Sequence, residues 1–513
     1  LGLADLNGKA IQLPAGARTS FGTERRPGQN DPVRSFVLSQ DGSSWDITVT
    51  CADVMNAFLQ APSSEQHYVV CGPEFGLEHV GKKALIVRAL YGGKTSGADF
   101  WKHLRSCMKH LGFDSCPADP DIWMREAQKD NGDTYWEYVL LYCDDCLVVS
   151  MNGENLLREE LGRFFVLKEK SIGPPSIYLG NKVSKVTLDN GIDAWSFSSS
   201  QYVQSAVKNV EEYLAKSNQS LPKRANAPFR TDYRPETDVS EELDPIQAAY
   251  FQSLIGILRW IVELGRIDIN TECSMLASCM ALPRVGHLNQ CFHVFAFLKK
   301  YHNAELVLDP TEPVIDPNVF PQEDWSHSPY GDCTEDLPPN APKPRGRGVI
   351  IRAYVDSDHA GDSITRRSRT GFIIYLNNAP IYWCSQKQGS CETSSFASEF
   401  IAMKSCCEYI RGVRYKLRMM GISCTLPAFV LGDNKSVLVN SANPYSQLKK
   451  KSCSIAYHFV REGCAKDEWR VAYIKSENNP ADILTKPIAG GEKRTKLSGK
   501  LLHYIAAALR YIS

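Results

Sequence analysis

Apolar and polar positions alternate along this chain in two long patterned stretches with an unpatterned one between them. In the first, "SSWDITVTCAD" reads as a strand ending at Asp53 and turning into a helix start. Phe100, Leu104, Met108 and Leu111 recur at helical spacing, and Gly112 follows as a C-cap. "YWEYVLLYCDDCLVVS" is two β-rich runs around a tight turn, which predicts a hairpin with Asp144 and Asp145 at its tip. "ENLLREELGRFFVL" predicts an amphipathic helix, and residues 176–207 a strand pair followed by another helix. Residues 245–308 read as all-helical, with one apolar stripe through Leu254, Ile257, Leu258 and Ile261 and a second through Phe292, Phe295 and Leu298. Both stripes are read as helical core.

Residues 309–348 are dense in proline, polar and nearly free of aliphatics, so they predict a linker. The pattern then restarts with the strands "GVIIRAYVDSD", "GFIIYL" and "APIYWC" and a long helix from "SSFASEFIAM" onward. The strand "AFVLGD", two helices, the strand "EWRVAYIK" and the short "NPADILT" follow. That order predicts an α/β domain built on a mixed sheet.

With 513 residues the chain is long enough for two or three domains. Its formal net charge is zero, so any polyanion site must come from local patches such as "QLKKKS", "GGEKRTKLSGK", "KPRGRG" and "RRSR". The 17 cysteines have no regular spacing, and reduced intracellular thiols are the better reading. "CDDC" has the form of a CxxC without a second Cys/His pair, which argues against zinc. "SLIGILRWIVELG" is too short to span a bilayer and carries Arg259 and Glu263, so no membrane is expected.

The aspartate pair inside an apolar run raises the chemical question, because adjacent carboxylates resist burial unless a cation compensates them. If the strand ending at Asp53 neighbours the hairpin, Asp53, Asp144 and Asp145 converge. Divalent cations, commonly two held about 3.5–4 Å apart, are the usual partners of such a set in phosphoryl transfer. The plain alternative is a turn with solvated aspartates. The second stretch repeats the theme: Asp356 closes a strand, Glu399 lies on the long helix, Asp433 closes another strand, and Asp482 follows Pro480 on a first helical turn. Taken singly, each of these acids reads as ordinary surface; taken in that order, they form a second two-metal candidate.

At this point the residues match a family. "ADVMNAFL", "RALYGGKTSG", "YCDD", "YLGNKV" and "SQYVQ" resemble the reverse transcriptase of copia-type LTR-retrotransposon Pol polyproteins. "YFQSLIGILRWIVELGRIDI" resembles the segment that follows it there. "AYVDSDHAGD", "SSFASEFIAM", "LGDNKS", "YHFVRE" and "NPADILTKP" resemble that family's ribonuclease H domain. The resemblance covers residues 45–310 and 349–488, in the family's order. The opening "LGLADLNGKA" has no initiator Met and reads as a cut from a longer polyprotein.

The resemblance implies a right-hand polymerase palm with partial fingers, a helical thumb or connection, and a C-terminal ribonuclease H-like mixed-sheet domain. It divides the chain into a divergent N-terminal segment at 1–44, fingers and palm at 45–240 and thumb or connection at 241–308. The proline-rich linker at 309–348, the ribonuclease H domain at 349–488 and a basic tail at 489–513 follow. The resemblance makes Asp53, Asp144 and Asp145 the polymerase metal ligands, and Asp356, Glu399, Asp433 and Asp482 the hydrolytic ones, with two Mg²⁺ (or Mn²⁺) ions at each centre. Phe58 matches the aromatic gate against a ribose 2′-hydroxyl, for which the residues alone offer core packing as the alternative. Gly92, Lys94 and Tyr142 are assigned to nucleotide and template binding.

The implied partners are an RNA template, a DNA primer, RNA–DNA hybrid and deoxynucleoside triphosphates, and the implied setting is a cytoplasmic particle and the nucleus. The chain departs from the family at "LYGGKTSGA", where "LYGLKQAPR" is common, and at "KSCS", where "KHID" is common. The basic fingers segment before residue 45 is poorly matched. No histidine lies between Trp469 and Asp482. A decayed nucleic-acid-binding remnant and a nuclease without polymerase activity are the alternative expectations.

Overall fold

The structure, a computed structural model, describes residues 3–4, 10–11, 47–448 and 451–504. Most of the N-terminal segment, part of the "QLKKKS" patch and residues 505–513 of the basic tail therefore lie outside the described residues. The chain divides into two compact units. The first is Leu1–Pro175 with Pro342–Gly346 and Met419–Gly421; the second is Ser176–Ala341, Arg347–Arg418 and Ile422–Ser513.

In the first unit, the short strands β1 (Leu3–Ala4), β2 (Ala10–Ile11), β4 (Tyr68–Val70) and β5 (Lys83–Ile86) form a small sheet in the order β2-β1-β5-β4. The main sheet has the order β3-β9-β8-β7-β6, from β3 (Thr48–Asp53), β6 (Asp114–Cys116), β7 (Asp119–Gln128), β8 (Thr134–Tyr142) and β9 (Asp145–Ser150). The predicted hairpin is β8–β9, turned by Cys143 and Asp144 alone. Helices α1 (Ala57–Gln60) and α2 (Ser96–His110) cover the sheet. Phe100, Leu104 and Met108 of α2 join Ala52, Val139 and Val148 in one core. Gly112 takes φ +82° just past the helix end, the left-handed conformation that suits a C-terminal cap.

The expected helix over 154–167 is instead a run of short turns. An α turn at Gly153–Asn155, a π turn at Leu156–Glu160 and a 3₁₀ turn at Leu161–Arg163 succeed one another. Leu156, Leu157 and Leu161 are all buried, so core contacts override the regular helical period.

The second unit holds two sheets. One has the order β10-β11-β12-β13-β19, from β10 (Ile177–Tyr178), β11 (Asn181–Thr187), β12 (Asp193–Ser198), β13 (Ala304–Leu308) and β19 (His503–Tyr504). Helices α3 (Ser200–Ala215), α4 (Pro245–Glu263), α5 (Asn270–Ala277) and α6 (Val285–Lys300) share a core in which Leu254, Leu258, Ile261 and Phe295 are fully enclosed. Residues 304–308 are a correction to the all-helical expectation: they pair antiparallel with β12, and "AELVL" ends with three consecutive buried residues.

The other sheet has the order β16-β15-β14-β17-β18, from β14 (Ile351–Asp358), β15 (Arg369–Leu376), β16 (Ala379–Lys387), β17 (Ala428–Gly432) and β18 (Trp469–Tyr473). The β14–β15 and β15–β16 pairs are antiparallel, whereas β14–β17 and β17–β18 are parallel. This is the mixed sheet the element order predicts. Helices α7 (Ser395–Met419), α8 (Lys435–Ala442), α9 (Ser454–Ala465) and α10 (Glu492–Gly499) complete the unit.

Residues 309–348 contain turns but no helix or strand. They are nonetheless anchored, because Phe320 and Trp325 are buried and Glu335 accepts hydrogen bonds from Arg414 and Arg418 at 2.6–2.8 Å. Burial opposes ionisation of Glu335, but the two guanidiniums outweigh it and hold the carboxyl down at about 2. A depressed carboxylate adds stability above its unfolded value, near 4.5, and loses it as pH falls toward 2. Glu335→Gln should therefore destabilise the protein at pH 7 by about 2 kcal/mol, and the gap to wild type should close below pH 4, as read by denaturant midpoints at each pH.

Candidate functional site: two clusters of carboxylates

The first cluster lies where β3 meets the hairpin. Asp53 and Asp145 are directly opposed in the antiparallel register, and the Val54 amide donates to the Asp144 carbonyl at 2.7 Å. The register therefore brings Asp53, Asp144 and Asp145 to one end of the sheet. The hairpin turn carries backbone strain, since Cys143 adopts φ +54°, a left-handed conformation uncommon for a residue with a Cβ. Asp144 is exposed and Asp53 and Asp145 are half-buried. Lys168 Nζ lies 3.0 Å from Asp53 Oδ2. Its hydrogen bond to Asp53, together with the charges of Asp53, Asp144 and Asp145, raises the ammonium pKa.

Phe58, on α1, is half-buried against Tyr91 and Phe100, at ring-centroid distances of 4.8 and 6.0 Å. Tyr91 feels the same acids: burial first, then the charge of Asp144, raises its phenol pKa. Gly92, at φ +92°, and Lys94 are exposed in the turn after Tyr91, and Tyr142 is half-buried at the end of β8. Lys168 and Tyr91 were not picked out in the sequence. Lys168 is 115 residues from the acid it contacts, and no local pattern points to it.

The second cluster is tighter. Asp356, Glu399 and Asp433 each offer an oxygen, and these atoms lie within 4.8 Å of one another, the one such group of three among the described residues. The parallel pairing of β14 with β17, Tyr354 opposite Leu431, sets Asp356 and Asp433 near the carboxyl ends of adjacent strands, where open α/β sheets place ligands. Asp356 lies within β14 rather than closing it, because pairing with β15 continues to Asp358.

Gly371 is the partner of Asp356 across β15, and a Cβ there would sit 2.6 Å from Thr485 Cγ2 and 2.9 Å from the Leu484 carbonyl carbon. This close approach seats the turn Pro480–Leu484 on the sheet. Asn479 locks the turn, accepting from the Ala481 amide and donating to the Val355 carbonyl at 2.9 Å. Thr485 then donates to Asp356 Oδ2 at 2.5 Å. Asp482, buried on the same turn, is met by Lys486 and Lys493, each at 2.5 Å.

Burial, then the charges of Asp356 and Asp433, pushes Glu399 up to about 9. Burial also pushes Asp356 up to about 6, despite the Thr485 hydrogen bond. By itself the cluster therefore retains the Glu399 proton near neutrality. Crowded carboxylate oxygens whose charges need cancelling are the donor set that suits a hard divalent cation, so the residues present fit Mg²⁺ or Mn²⁺. Thr485, Lys486 and Lys493 were not picked out in the sequence. Lys486, four residues after Asp482 on a helical turn, could have been found from its spacing.

No protein-family model matches the chain. By sequence the chain is similar to retroelement Pol polyproteins. In particular, it is homologous to those of copia-type LTR retrotransposons. It is 24% identical over 452 residues to the retrovirus-related Pol polyprotein from transposon RE1 of Arabidopsis thaliana, covering 87% of this chain and 27% of that protein. It is likewise 24% identical to the corresponding polyprotein from transposon TNT 1-94 of Nicotiana tabacum, covering 87% of this chain and 30% of that one. The chain thus spans under a third of the length of these relatives. Among solved structures, the foamy viral protease–reverse transcriptase in complex with RNA/DNA hybrid aligns with 83% of this chain and 44% of its own, at 10% identity and a TM-score of 0.34.

Mg²⁺ or Mn²⁺ at a hundredfold excess over its Kd should stabilise the folded protein by about 2–3 kcal/mol, read as a rise in Tm. Glu399→Gln and Asp356→Asn should each abolish most of that rise. Gly371→Ala should cost about 1–3 kcal/mol and weaken the response by lifting the Pro480–Leu484 turn, both measurable in the same melts.

Proposed function

We propose that the chain combines an RNA- and DNA-templated DNA polymerase with a nuclease that cuts the RNA of an RNA–DNA hybrid. In this reading residues 45–240 carry a polymerase palm with partial fingers, residues 241–308 form the thumb or connection, and residues 349–488 form the ribonuclease H domain. The observation that carries the nuclease half is the gathering of Asp356, Glu399 and Asp433 within 4.8 Å beside the pinned Asp482. The polymerase half is supported by the Asp53–Asp145 register, with Asp144 in the adjoining turn.

Two divalent cations at each centre would activate the attacking oxygen and stabilise the leaving one. The chain's own residues hold and orient. Asp53, Asp144 and Asp145 receive the charge that positions the primer end and the incoming triphosphate. Phe58, braced by Tyr91 and Phe100, presents an aromatic wall that would clash with a ribose 2′-hydroxyl. Gly92, Lys94 and Tyr142 border the nucleotide and template. Asp356, Glu399, Asp433 and Asp482 hold the scissile phosphate's counter-charge, and Thr485 fixes the orientation of Asp356. Contacts to the duplex would run through Lys and Arg to phosphates, with little sequence reading.

A second reading, a nuclease without polymerase activity, is favoured by the ion pair between Lys168 and Asp53 and by the departure at "LYGGKTSGA". Two assays separate the readings: primer extension on poly(A) with Mg²⁺ or Mn²⁺, and cleavage of RNA in a hybrid. On the combined reading, Asp53→Asn lowers extension by about 100-fold or more and spares cleavage, and Glu399→Gln does the reverse. Wild type that cleaves but does not extend selects the nuclease-only reading. A single substitution that removes both activities from a folded chain contradicts two separate centres.

A further inference from the structure

Asp482 differs from its three partner acids in already being paired with two lysines. Its side chain is 6% exposed, with Lys486 Nζ 2.5 Å from Oδ1 and Lys493 Nζ 2.5 Å from Oδ2. The second contact is close but not aligned as a hydrogen bond, and Oδ2 has no directed donor. A buried carboxylate oxygen held only by proximity to an ammonium is open to exchange for a better ligand.

The two lysines are not equivalent. Lys486 sits four residues along from Asp482. Lys493 comes from a different element, α10, and its side chain is 53% exposed. The helix under it is fixed, because the next residue, Arg494, is buried. Arg494 Nη2 donates to the Asp268 carbonyl at 2.5 Å, and Nη1 lies 3.3 Å from Glu272 Oε1 and donates to the Ile488 carbonyl at 3.2 Å. Leu497, one turn later, is fully buried. A fixed helix with one solvent-exposed lysine aimed at an acid of the cluster holds a cation at a set place. Lys496 is exposed on the same helix.

We propose that α10 is a working part of the hydrolytic centre, and that Lys493 alternates between Asp482 and a phosphate of bound nucleic acid. The inference rests on the nuclease reading above. In the protein without substrate, Lys493 neutralises Asp482 and competes with a divalent cation for Oδ2. When the cation takes that oxygen, the ammonium is released beside the cluster, where a phosphodiester is the anion that re-pairs it. Lys493 is thus a positioning residue that opposes metal binding and favours substrate binding.

The test compares full-length wild type with Lys493→Ala, Lys493→Arg and, as a control for loss of one positive charge, Lys208→Ala on α3. Mn²⁺ affinity is measured by the EPR signal of free Mn²⁺, and binding of an RNA–DNA hybrid is measured across a range of KCl. Lys493→Ala should bind Mn²⁺ about three- to tenfold more tightly. Its plot of log Kd for the hybrid against log[salt] should lose about one unit of slope. Lys493→Arg should restore the slope, and Lys208→Ala should match wild type in both. Unchanged or weaker Mn²⁺ binding by Lys493→Ala, an unchanged slope, or equal effects of Lys208→Ala would each overturn the proposal. Wild type that binds Mn²⁺ but cleaves no hybrid would sink the nuclease reading instead, and the Mn²⁺ comparison, which needs no turnover, would still judge the Lys493 contact.

Discussion

Repulsion between carboxylates that the backbone forces together is the constraint around which both centres are organised. Acids repel whether or not they are useful, and burial makes the repulsion worse by removing water. The clusters draw their members from strands, turns and, for Glu399, the helix α7, all held in place by the fold, so the side chains cannot simply move apart. The chain supplies its own partial remedy in lysines from elsewhere: Lys168 on Asp53, and Lys486 and Lys493 on Asp482. Where no lysine makes an ion pair, at Glu399, the proton does the neutralising.

The two centres meet that constraint with different rigidity. The cluster of the second unit is fixed by a chain of unrelated devices. Gly371 gives space, Asn479 locks a turn at both ends, and Thr485 ties the turn to Asp356. Each acts through buried contacts that a single substitution disturbs. The cluster of the first unit rests on one strand register and a two-residue turn with a left-handed cysteine, and it is more open to water. Water screens charge, so fewer structural commitments are needed there.

Much of this was legible in the residues. The hairpin around Asp144 and Asp145, the helix ending at Gly112 and the mixed sheet beyond residue 349 all follow from period and turn chemistry that local sequence carries. What was not legible depended on tertiary context. "AELVL" became a strand because β12 offered an unpaired edge, which no helical-period argument can detect. The run 154–167 broke into mixed turns because three leucines had to reach one core. The acids could be named from their places at strand ends, a hairpin tip and helix faces, but their lysine partners could not, apart from Lys486. Long side chains on distant elements leave no periodic trace.

The pairing of His503–Tyr504 with β13 carries a consequence for how the protein is made. The sheet to which they belong begins at Ile177, and its last strand lies more than three hundred residues later. During synthesis the outer edge of β13 must wait, with its amides and carbonyls unpaired, until that strand leaves the ribosome. Exposed edges of this kind invite pairing with other chains. Until His503 and Tyr504 arrive, the open edge of β13 is thus where the nascent chain most readily pairs with another copy.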